Sequence, residues 1–348
     1  MSSRAERDAM GRALALAAVG LGATSPNPSV GAVILAPDGT VVGEGRTAPP
    51  GGPHAEIVAL AAAGERARGG TAVVTLEPCD HQGRTGPCSR ALLAAGIARV
   101  VVGVRDPDPV AAGGLDRLRA ADIDVESGVL EAEAAHGLRY WLTAVRRGRP
   151  YLIWKYAATL DGRSAAADGT SKWITSEAAR ADAHALRGTV DAIIAGIGTV
   201  LADDPALTVR VPGLDRRPLR VIVDSAGGTP AGAGVNDGAA PTWIATAAEL
   251  GADPDGRVNL DKLLAELYRR GVRAALIEGG PTLAGAFLAA GLIDEVVGYV
   301  APKLLGAGPA ALGAAGVPSI TSAIELDLID VARVGPDLRI TATTRRRG

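Results

Sequence analysis

Residues that can bind zinc occur in one part of the chain, in the order His54-Ala55-Glu56, Pro78-Cys79 and Cys88. One imidazole and two thiolates supply three ligands and leave the fourth tetrahedral position for water, as in catalytic zinc sites. Zinc lowers the pKa of its bound water toward about 7. Glu56 lies two residues beyond His54, near enough to shuttle a proton without binding the metal. The pattern is typical of zinc-dependent nucleobase deaminases, with His54, Cys79 and Cys88 as ligands and Glu56 as the catalytic residue.

Two other interpretations of these residues stay open at this point. The cysteines can be core residues that meet a histidine by chance, or His81 can complete a closed structural zinc site. The spacing also departs from the usual pattern, because eight residues rather than two separate Cys79 from Cys88. The chain has only four His and two Cys, so three of them in a working order, with Pro and Glu attached, favour the catalytic site.

Alternating helix and strand patterns place these residues around a central sheet. A helix is predicted to about Leu21, and a hairpin turn at Pro37-Asp38-Gly39 joins the first two strands. The remaining elements of this half are strands at 30–35, 41–45, 72–76, 100–104 and around 125, and helices at 54–63, 89–95 and 115–121. A short charged break at 146–150 predicts a domain boundary, which we place between residues 146 and 147.

The second half repeats the alternation. Its predicted strands are 151–157, 192–195, 219–223, 274–277 and 295–300, and its predicted helices are 176–187, 260–270 and 283–290. Residues 232–240 are predicted to form a surface loop of small residues. The whole chain is therefore predicted to be an α/β protein of two domains, 1–146 and 147–348.

Composition limits the classes of function. A length of 348 residues suits two ordinary domains. A net charge of −2 and only 3% aromatic residues argue against nucleic acid as a partner. The apolar runs are shorter than the ~18 residues that span a bilayer, so no membrane segment is predicted. Two cysteines do not form a disulfide framework, and a cytoplasmic location is expected.

A glycine-rich turn, Glu278-Gly279-Gly280-Pro281-Thr282, stands between a predicted strand and an apolar helix. Such a turn exposes backbone N–H groups that bind phosphate, although it also occurs as a simple strand–helix turn. Arg187 and Arg210 can grip a phosphate, or they can be solvated surface residues. Asp203-Asp204-Pro205 fits an acid–base pair or a routine turn.

The first half resembles the deaminase part of the bifunctional riboflavin-biosynthesis deaminase/reductase family. The resemblance rests on motifs in order: Thr24-Ser25-Pro26-Asn27-Pro28-Ser29-Val30-Gly31, the His-Ala-Glu sequence, and Leu76-Glu77-Pro78-Cys79 with His81, Gly83-Arg84-Thr85 and Pro87-Cys88. It implies a cytidine-deaminase-like three-layer α/β/α domain in which Asn27 and His81 contact the pyrimidine. The family often has a histidine where this chain has Arg46-Thr47, and Pro-Pro where it has Gly86-Pro87.

The second half is similar to the reductase domain of the same family, which has a dihydrofolate-reductase-like α/β fold. The matching motifs run from Lys155-Tyr156-Ala157-Ala158-Thr159-Leu160-Asp161-Gly162-Arg163 to Ala301-Pro302-Lys303-Leu304-Leu305-Gly306. The resemblance implies that a set of residues contacts NADPH: Ala157, Trp173, Thr199, Asp203, Ser225, Gly280, Pro281, Thr282, Leu283, Ala284, Gly285 and Ala286. It implies that a second set contacts the substrate: Ser171, Arg187, Leu207, Arg210 and Glu278.

The resemblance implies a cytoplasmic, homo-oligomeric enzyme that acts twice on one pyrimidine ribotide. Its zinc site deaminates 2,5-diamino-6-ribosylamino-4(3H)-pyrimidinone 5′-phosphate, and its reductase converts the ribosyl chain of the product to ribityl with NADPH. The proton donor of the reduction is open between Lys155 and Asp203, and the preference for NADPH over NADH rests on the resemblance alone. The alternatives are a nucleic-acid deaminase, a non-catalytic module with structural zinc, and a chain in which one half has decayed.

Overall fold

A computed structural model describes residues 1–82 and 86–345. The chain divides into two compact units, Met1–Arg149 and Pro150–Gly348. The predicted boundary between residues 146 and 147 lies just before this division, within the last turn of a helix that ends at Arg147. Across the described ranges, every helix is too short or too polar to cross a bilayer.

The first unit alternates helices and strands, as the sequence pattern predicts. Its elements are α1 (Arg4–Val19), β1 (Gly31–Leu35), β2 (Val41–Arg46), α2 (Ala55–Ala63), β3 (Thr71–Leu76), α3 (Cys88–Ala94), β4 (Arg99–Val104), α4 (Gly114–Ala120), β5 (Asp124–Ser127), α5 (Glu131–Gly137) and α6 (Arg139–Arg147). The sheet order is β2-β1-β3-β4-β5, with β1 antiparallel to both neighbours and β3, β4 and β5 parallel.

Helices cover both faces of this sheet, which confirms the predicted three-layer α/β/α arrangement. Along β1, Ala32 and Ile34 pack in the cluster that contains α2 and α3 residues. Val33 and Leu35 point the other way and pack with Met10 of α1. Because both faces are buried, β1 is apolar throughout instead of alternating with polar residues.

Two glycines of β2 bring α2 unusually close to the sheet. A Cβ atom on Gly43 would lie 2.2 Å from the Ala59 carbonyl oxygen, and one on Gly45 would lie 2.3 Å from that of Ala55. Helix α2 itself presents alanines to the sheet, and Ala55 and Ala59 are fully buried. This close packing fixes the position of the N-terminus of α2, where His54 lies.

The second unit is built around a larger sheet. Its elements are β6 (Tyr151–Thr159), α7 (Glu177–Arg187), β7 (Ala192–Gly196), α8 (Ile197–Asp203), β8 (Leu219–Val223), β9 (Thr242–Ala245), α9 (Ala247–Leu250), α10 (Leu260–Arg269), β10 (Ala274–Ile277), α11 (Pro281–Ala289), β11 (Glu295–Ala301), β12 (Leu326–Val334) and β13 (Asp337–Thr344). The strand order is β12-β13-β11-β6-β10-β7-β8-β9.

The strands from β11 to β9 in this order run parallel, and β13 and β12 add an antiparallel hairpin at the β11 side. Parallel strands bring their carboxyl ends to one edge of the sheet, where ligands of open α/β sheets bind. Residues of α10 and α11, such as Leu263 and Phe287, are fully buried against the strands.

Some elements are not foreseen by the sequence analysis. It predicts no strand after residue 300, whereas the structure has β12 and β13 there, and it omits β9. Most of β12 is exposed, so its apolar residues do not show the alternation of a half-buried strand. Within the predicted loop at 232–240, a short 3₁₀ turn buries Val235 completely.

Candidate functional sites

The three predicted zinc ligands meet at the N-termini of two helices. His54 is the N-cap residue of α2, Cys79 follows β3, and Cys88 is the first residue of α3. The Nδ1 atom of His54 lies 3.5 Å from Cys79 Sγ and 3.4 Å from Cys88 Sγ. The backbone N–H of Cys88 also donates to Cys79 Sγ over 3.5 Å.

These donor atoms fit a zinc ion. One donor atom from each of His54, Cys79 and Cys88 lies within 4.8 Å of the others. Zinc–sulfur bonds of about 2.3 Å and zinc–nitrogen bonds of about 2.0 Å place ligands of a tetrahedral ion within such a radius. In the described part of the chain His81 is not a member of this group. The geometry therefore favours three protein ligands and an open position over a closed structural site.

Electrostatics around the cysteines favour a bound cation. Hydrogen bonding from Cys88, and then from His54, lowers the pKa of the Cys79 thiol well below its ordinary value despite its burial. The same contact with Cys79, together with burial, raises the pKa of the Cys88 thiol. The pair therefore holds one thiolate in a buried site, where a metal ion is the natural partner of the negative charge.

Glu56 lies beside this group in the first turn of α2 and is 4% exposed. Burial raises the pKa of its carboxyl to about 7. A carboxyl group with this pKa exchanges a proton readily near neutral pH, which is the property required of a general acid–base residue. Among the described residues, Glu56 is not one of the clustered donors that could hold the metal.

The two predicted pyrimidine contacts lie on loops of the first unit. Asn27 ends a turn in which its backbone N–H donates to the Thr24 carbonyl over 2.9 Å, and its carbonyl accepts from Thr24 Oγ1 over 3.0 Å. His81 follows Cys79 closely, and its Nδ1 atom is buried without a hydrogen-bond partner among the residues that the structure describes. Such an atom needs a polar partner from a ligand or water. The Gly83-Arg84-Thr85 part of the motif lies outside the described residues.

Thr47 stands near the position at which the related family often has a histidine. Its side chain is buried, and its Oγ1 accepts the Val30 backbone N–H over 3.0 Å. The hydroxyl thus joins the end of β2 to the start of β1 and is directed to the backbone. Any contact that the family's histidine makes with substrate has to come from another residue in this chain.

A buried glutamate that the sequence analysis gave no role organises the loop next to Cys79. Glu77 Oε1 accepts the backbone N–H groups of Gly113 and Leu115 over 3.1 and 3.2 Å, and Oε2 accepts that of Asp106 over 3.2 Å. Burial raises the pKa of Asp106 to about 6, with smaller effects from nearby negative groups that include Cys79. The only signal in the sequence was the position of Glu77 between Leu76 and Pro78 in the motif.

In the second unit, a cleft of about 730 Å³ lies at the carboxyl ends of the parallel strands. Most of the predicted cofactor residues line it, namely Ala157, Thr199, Asp203, Ser225, Gly280, Pro281, Thr282, Leu283 and Ala286. Ser171 and Glu278 of the predicted substrate set also line it. The cleft is the size of ordinary cofactor sites.

The other predicted residues lie elsewhere. Ala284 is fully buried, and a Cβ on Gly285 would lie 2.3 Å from the Ala314 carbonyl oxygen, so both face the interior. Trp173 is 62% exposed, with the Arg180 guanidinium 4.5 Å from its ring centroid. Residues 187, 207 and 210 are not among the residues that line the cleft. Arg187 contacts Glu278, and Arg210 contacts His184, as described below.

The glycine-rich turn is fixed from a neighbouring helix. Gly280 is the N-cap residue of α11 and Pro281 occupies the first turn. The Gly280 N–H donates to Thr199 Oγ1 over 2.9 Å. The residues of this turn, 280–283, line the cleft. The first N–H groups of a helix have no intrahelical partner, and such groups can bind phosphate.

Glu278 holds two cations at one side of the cleft. Its carboxylate accepts from Arg187 over 2.5 and 2.9 Å and from Lys155 Nζ over 3.3 Å. Burial alone would raise the pKa of Glu278, but the charges of Lys155 and Arg187 bring that pKa well below its ordinary range. Glu278 therefore stays ionised and orients both cations.

A histidine that the sequence analysis did not single out joins the two predicted phosphate-binding arginines. His184 Nε2 lies 3.0 Å from Arg210 Nη2, and His184 Nδ1 lies 3.4 Å from Arg187 Nη1. Burial and the two arginine charges lower the pKa of His184 to about 4, so the ring is neutral. One turn of helix α7 separates His184 from Arg187, and this spacing was the signal in the sequence.

The loop before Arg210 is held by a hydrogen bond from a buried arginine of β8. Leu207 is buried with φ +47°, a left-handed conformation that is unfavourable for leucine. Arg220, which is fully buried in β8, donates to the carbonyls of Ala206 over 3.1 Å and Ala240 over 2.7 Å. These bonds offset the local strain and set the path of the chain toward Arg210.

Comparison with known proteins gives two family matches. Residues 3–104 match the cytidine and deoxycytidylate deaminase zinc-binding region, and residues 150–340 match the RibD C-terminal domain. These matches agree with the predicted cytidine-deaminase-like and reductase halves.

Full-length relatives show the same combination. The chain is 47% identical to riboflavin biosynthesis protein RibD of Mycobacterium tuberculosis H37Rv, over 97% of each chain. It is 43% identical to RibD of Escherichia coli K12, over 94% of this chain and 96% of that one.

Solved structures agree with the sequence relatives. The structure of Acinetobacter baumannii RibD, which is 40% identical in sequence, superposes with a TM-score of 0.89 over 99% of both chains. A Thermotoga maritima structure, 35% identical, superposes with a TM-score of 0.89 over 98% of this chain and 99% of that one. It is named diaminohydroxyphosphoribosylaminopyrimidine deaminase/5-amino-6-(5-phosphoribosylamino)uracil reductase.

Proposed function

The chain belongs to the RibD family of riboflavin-biosynthesis enzymes, and on that premise we propose which substrates its two sites use and which residues act on them. As a member it is a bifunctional deaminase and reductase. The proposed substrate of the first unit is 2,5-diamino-6-ribosylamino-4(3H)-pyrimidinone 5′-phosphate, and that of the second is 5-amino-6-(5-phosphoribosylamino)uracil. The Thermotoga maritima relative carries the names of the same two reactions, which supports the proposal.

In the first unit His54, Cys79 and Cys88 would hold zinc. When bound, zinc supplies a Lewis acid that lowers the pKa of a water molecule at its open position. The observation that carries this assignment is the convergence of one nitrogen and two sulfur atoms within 4.8 Å, next to a buried carboxyl group.

Glu56 moves the protons of the deamination. Its carboxylate accepts a proton from the attacking water and returns it to the departing amino group, which leaves as ammonia. Burial keeps bulk water away from this carboxyl and brings its pKa to about 7. Asn27 and His81 orient the pyrimidine, and the partnerless Nδ1 atom of His81 supports this role.

In the second unit the cleft holds NADPH, which supplies a hydride when bound. The backbone of the Gly280 turn and the hydroxyls of Thr199 and Ser225 bind the cofactor. Glu278 positions Lys155 and Arg187 beside the place of the reacting sugar. Of the two candidate proton donors, Lys155 is the better supported, because Asp203 is exposed at the end of α8 whereas Lys155 is held by Glu278.

The substrate phosphate is bound by Arg187 and Arg210. The neutral ring of His184 accepts from Arg210 at Nε2 and so positions the Arg210 guanidinium, while Arg187 is positioned by Glu278. Two adjacent guanidinium groups suit a dianionic phosphate. Ser171 and Leu207 complete the proposed substrate contacts.

We also propose that the chain forms homo-oligomers through the outer strand of the second sheet. The edge strand β12 exposes Leu328 (68%), Ile329 (51%) and Val331 (55%). An exposed apolar edge strand pairs readily with another strand. A cytoplasmic location stays a prediction, supported by the free thiols of Cys79 and Cys88, which a reducing compartment protects.

One assay tests both sites. Zinc-loaded protein is mixed with the diaminopyrimidine ribotide and NADPH, and ammonia release and NADPH oxidation are followed together. We expect both signals from wild type. Glu56→Ala is expected to lose ammonia release and still oxidise NADPH when it is given the deaminated intermediate. If wild type gives neither signal, the proposed substrate is wrong.

A further inference from the structure

The cofactor cleft contains a cation that no predicted role uses. In the described part of the chain, the basic residues that line the cleft are Lys155 and Arg257. Lys155 is paired with the buried Glu278. The guanidinium of Arg257 is exposed, and among the described residues no carboxylate lies within 4.0 Å of it. A guanidinium that has no carboxylate partner and lies at the wall of a cleft for an anionic cofactor is placed to bind one of the cofactor's phosphate groups.

A rigid turn sets the position of Arg257. The backbone N–H of Asp253 donates to the Arg257 carbonyl over 2.7 Å, and Asp253 Oδ1 accepts the Arg257 N–H over 2.8 Å. Asp253 Oδ1 also accepts the N–H of Asp255 over 2.9 Å. The carboxylate is thus directed to the turn's own backbone, and the Arg257 side chain takes no part in holding the turn.

A hydrogen bond joins this turn to a predicted cofactor residue. The N–H of Val258, next to Arg257, donates to Ser225 Oγ over 3.1 Å. That bond occupies a lone pair of the hydroxyl oxygen and leaves its hydrogen available for donation. Ser225 and Arg257 therefore present an O–H donor and a guanidinium to the same end of the cleft.

This end is separate from the reacting end. Ser225 follows β8 and Glu278 follows β10, and β7 lies between these strands. Two strand spacings amount to about 10 Å. The substrate phosphate is assigned to Arg187 and Arg210, of which Arg187 contacts Glu278. An anion bound at Arg257 would therefore belong to the part of the cofactor remote from the reaction.

We propose that Arg257, together with the Ser225 hydroxyl, binds the 2′-phosphate of the cofactor's adenosine and makes this enzyme selective for NADPH over NADH. The inference rests on the proposed function of the cleft and answers a question that the sequence leaves open. NADH carries a ribose hydroxyl at this place, and a guanidinium gains little from a neutral group.

Binding measurements test the proposal without turnover. The dissociation constants of NADPH, NADH, adenosine 2′,5′-bisphosphate and adenosine 5′-monophosphate are measured calorimetrically for wild type, Arg257→Ala, Arg257→Lys and Arg257→Glu. We expect Arg257→Ala to weaken NADPH and the bisphosphate about tenfold and to change NADH and the monophosphate by less than twofold. Arg257→Lys should fall between, and Arg257→Glu should lose most of the preference for NADPH.

Arg269→Ala is the matched control, because Arg269 is an exposed arginine of the same unit that pairs with Glu266 outside the cleft. It should bind all four ligands as wild type does. Equal weakening of NADPH and NADH in Arg257→Ala, or no change in either, would overturn the proposal. So would a raised KM for the aminouracil ribotide with unchanged NADPH affinity, because the anion would then be the substrate phosphate. If wild type binds neither dinucleotide, the proposed function of the cleft fails as well.

Discussion

The two units build their sites from different materials. In the first, three side chains converge on one point from the N-termini of α2 and α3, and their atoms do the binding. In the second, backbone groups and small residues form a cleft, and a buried carboxylate holds cations at one side of it. A site of the first kind depends on a few side-chain identities, whereas one of the second kind depends on the path of the chain. Substitutions should therefore affect the two reactions differently.

The largest effect is expected at the metal centre. Cys79→Ser removes one of the two thiol groups that lie within bonding reach of a shared metal ion. Because changes even outside the ligand set cost about 10–100-fold in metal affinity or activity, we expect more than a hundredfold loss of deamination and loss of bound zinc. Elemental analysis and ammonia release measure the two losses. NADPH oxidation with supplied aminouracil ribotide should be unchanged, and a parallel fall would contradict the independence of the sites.

The second-largest effect is expected at Glu278, where a substitution should lower both the reductase activity and the stability of the second unit. Glu278→Gln leaves Lys155 and Arg187 without a counter-charge in a buried place, which typically costs about 3–5 kcal/mol. We expect loss of NADPH oxidation and a lower temperature for the calorimetric transition of the second unit, with ammonia release retained. Glu266→Gln is the control, because this half-buried carboxylate of α10 also pairs with two cations, Arg269 and Arg270, but lies outside the cleft.

The same variant has a defined pH dependence. The folded-state pKa of Glu278 lies below its unfolded value of about 4.3. Its stabilising contribution is therefore complete above that value and is lost as the pH falls toward the folded-state pKa. The difference in unfolding free energy between wild type and Glu278→Gln should be constant at pH 6–8 and shrink below about pH 4.5. A difference that grows on acidification would show that the ion pairs are not its source.

A smaller effect is expected at His184, which acts through the arginines. His184→Leu removes the acceptor for Arg210, and we expect about a tenfold higher KM for the aminouracil ribotide with kcat within twofold. His184→Gln, which keeps an acceptor oxygen, should restore most of the KM. Equal losses in both variants, or a loss in kcat alone, would contradict the positioning role.

The smallest effect on turnover is expected at the edge of the second sheet. Leu328→Lys with Val331→Lys places charges on the exposed strand β12. Sedimentation should show a smaller species than wild type, with both activities within twofold. Leu160→Lys, at another exposed apolar residue outside β12, is the control. An unchanged mass would place the contact between copies elsewhere.

The sequence predicts the first site better than the second for a physical reason. His54, Glu56, Cys79 and Cys88 carry chemistry in their side chains, and few arrangements of those types serve another purpose. The helices and strands around them follow from apolar periodicity. The sequence analysis gave Glu77 no role because this residue accepts hydrogen bonds from backbone N–H groups at 106, 113 and 115. Those groups are about thirty residues or more away along the chain, so the sequence alone does not show that they lie beside Glu77.

In the second unit, the order of the motifs predicts which residues line the cleft, but it does not predict the contacts and role of each residue there. Nothing in the local sequence indicates that Glu278 is buried between Lys155 and Arg187, because the three come from β6, α7 and the turn after β10. Arg257 stands alone in a turn with no motif. Strand β12 was missed because a bulge between Leu328 and Asp330 interrupts its apolar alternation. Strand β13 does alternate, with Leu338, Ile340 and Ala342 at every second position, and this signal in the sequence was overlooked.

The two sulfur donors of the first unit also make its metal site sensitive to copper ions. Thiolates prefer soft ions, and Cu(I) competes for sites of this kind more strongly than for those built from oxygen. Both cysteines of the chain belong to this one centre. Copper excess should therefore poison the hydrolytic half of the enzyme and spare the hydride-transfer half, so that the diamino compound accumulates ahead of a reductase that is still able to work.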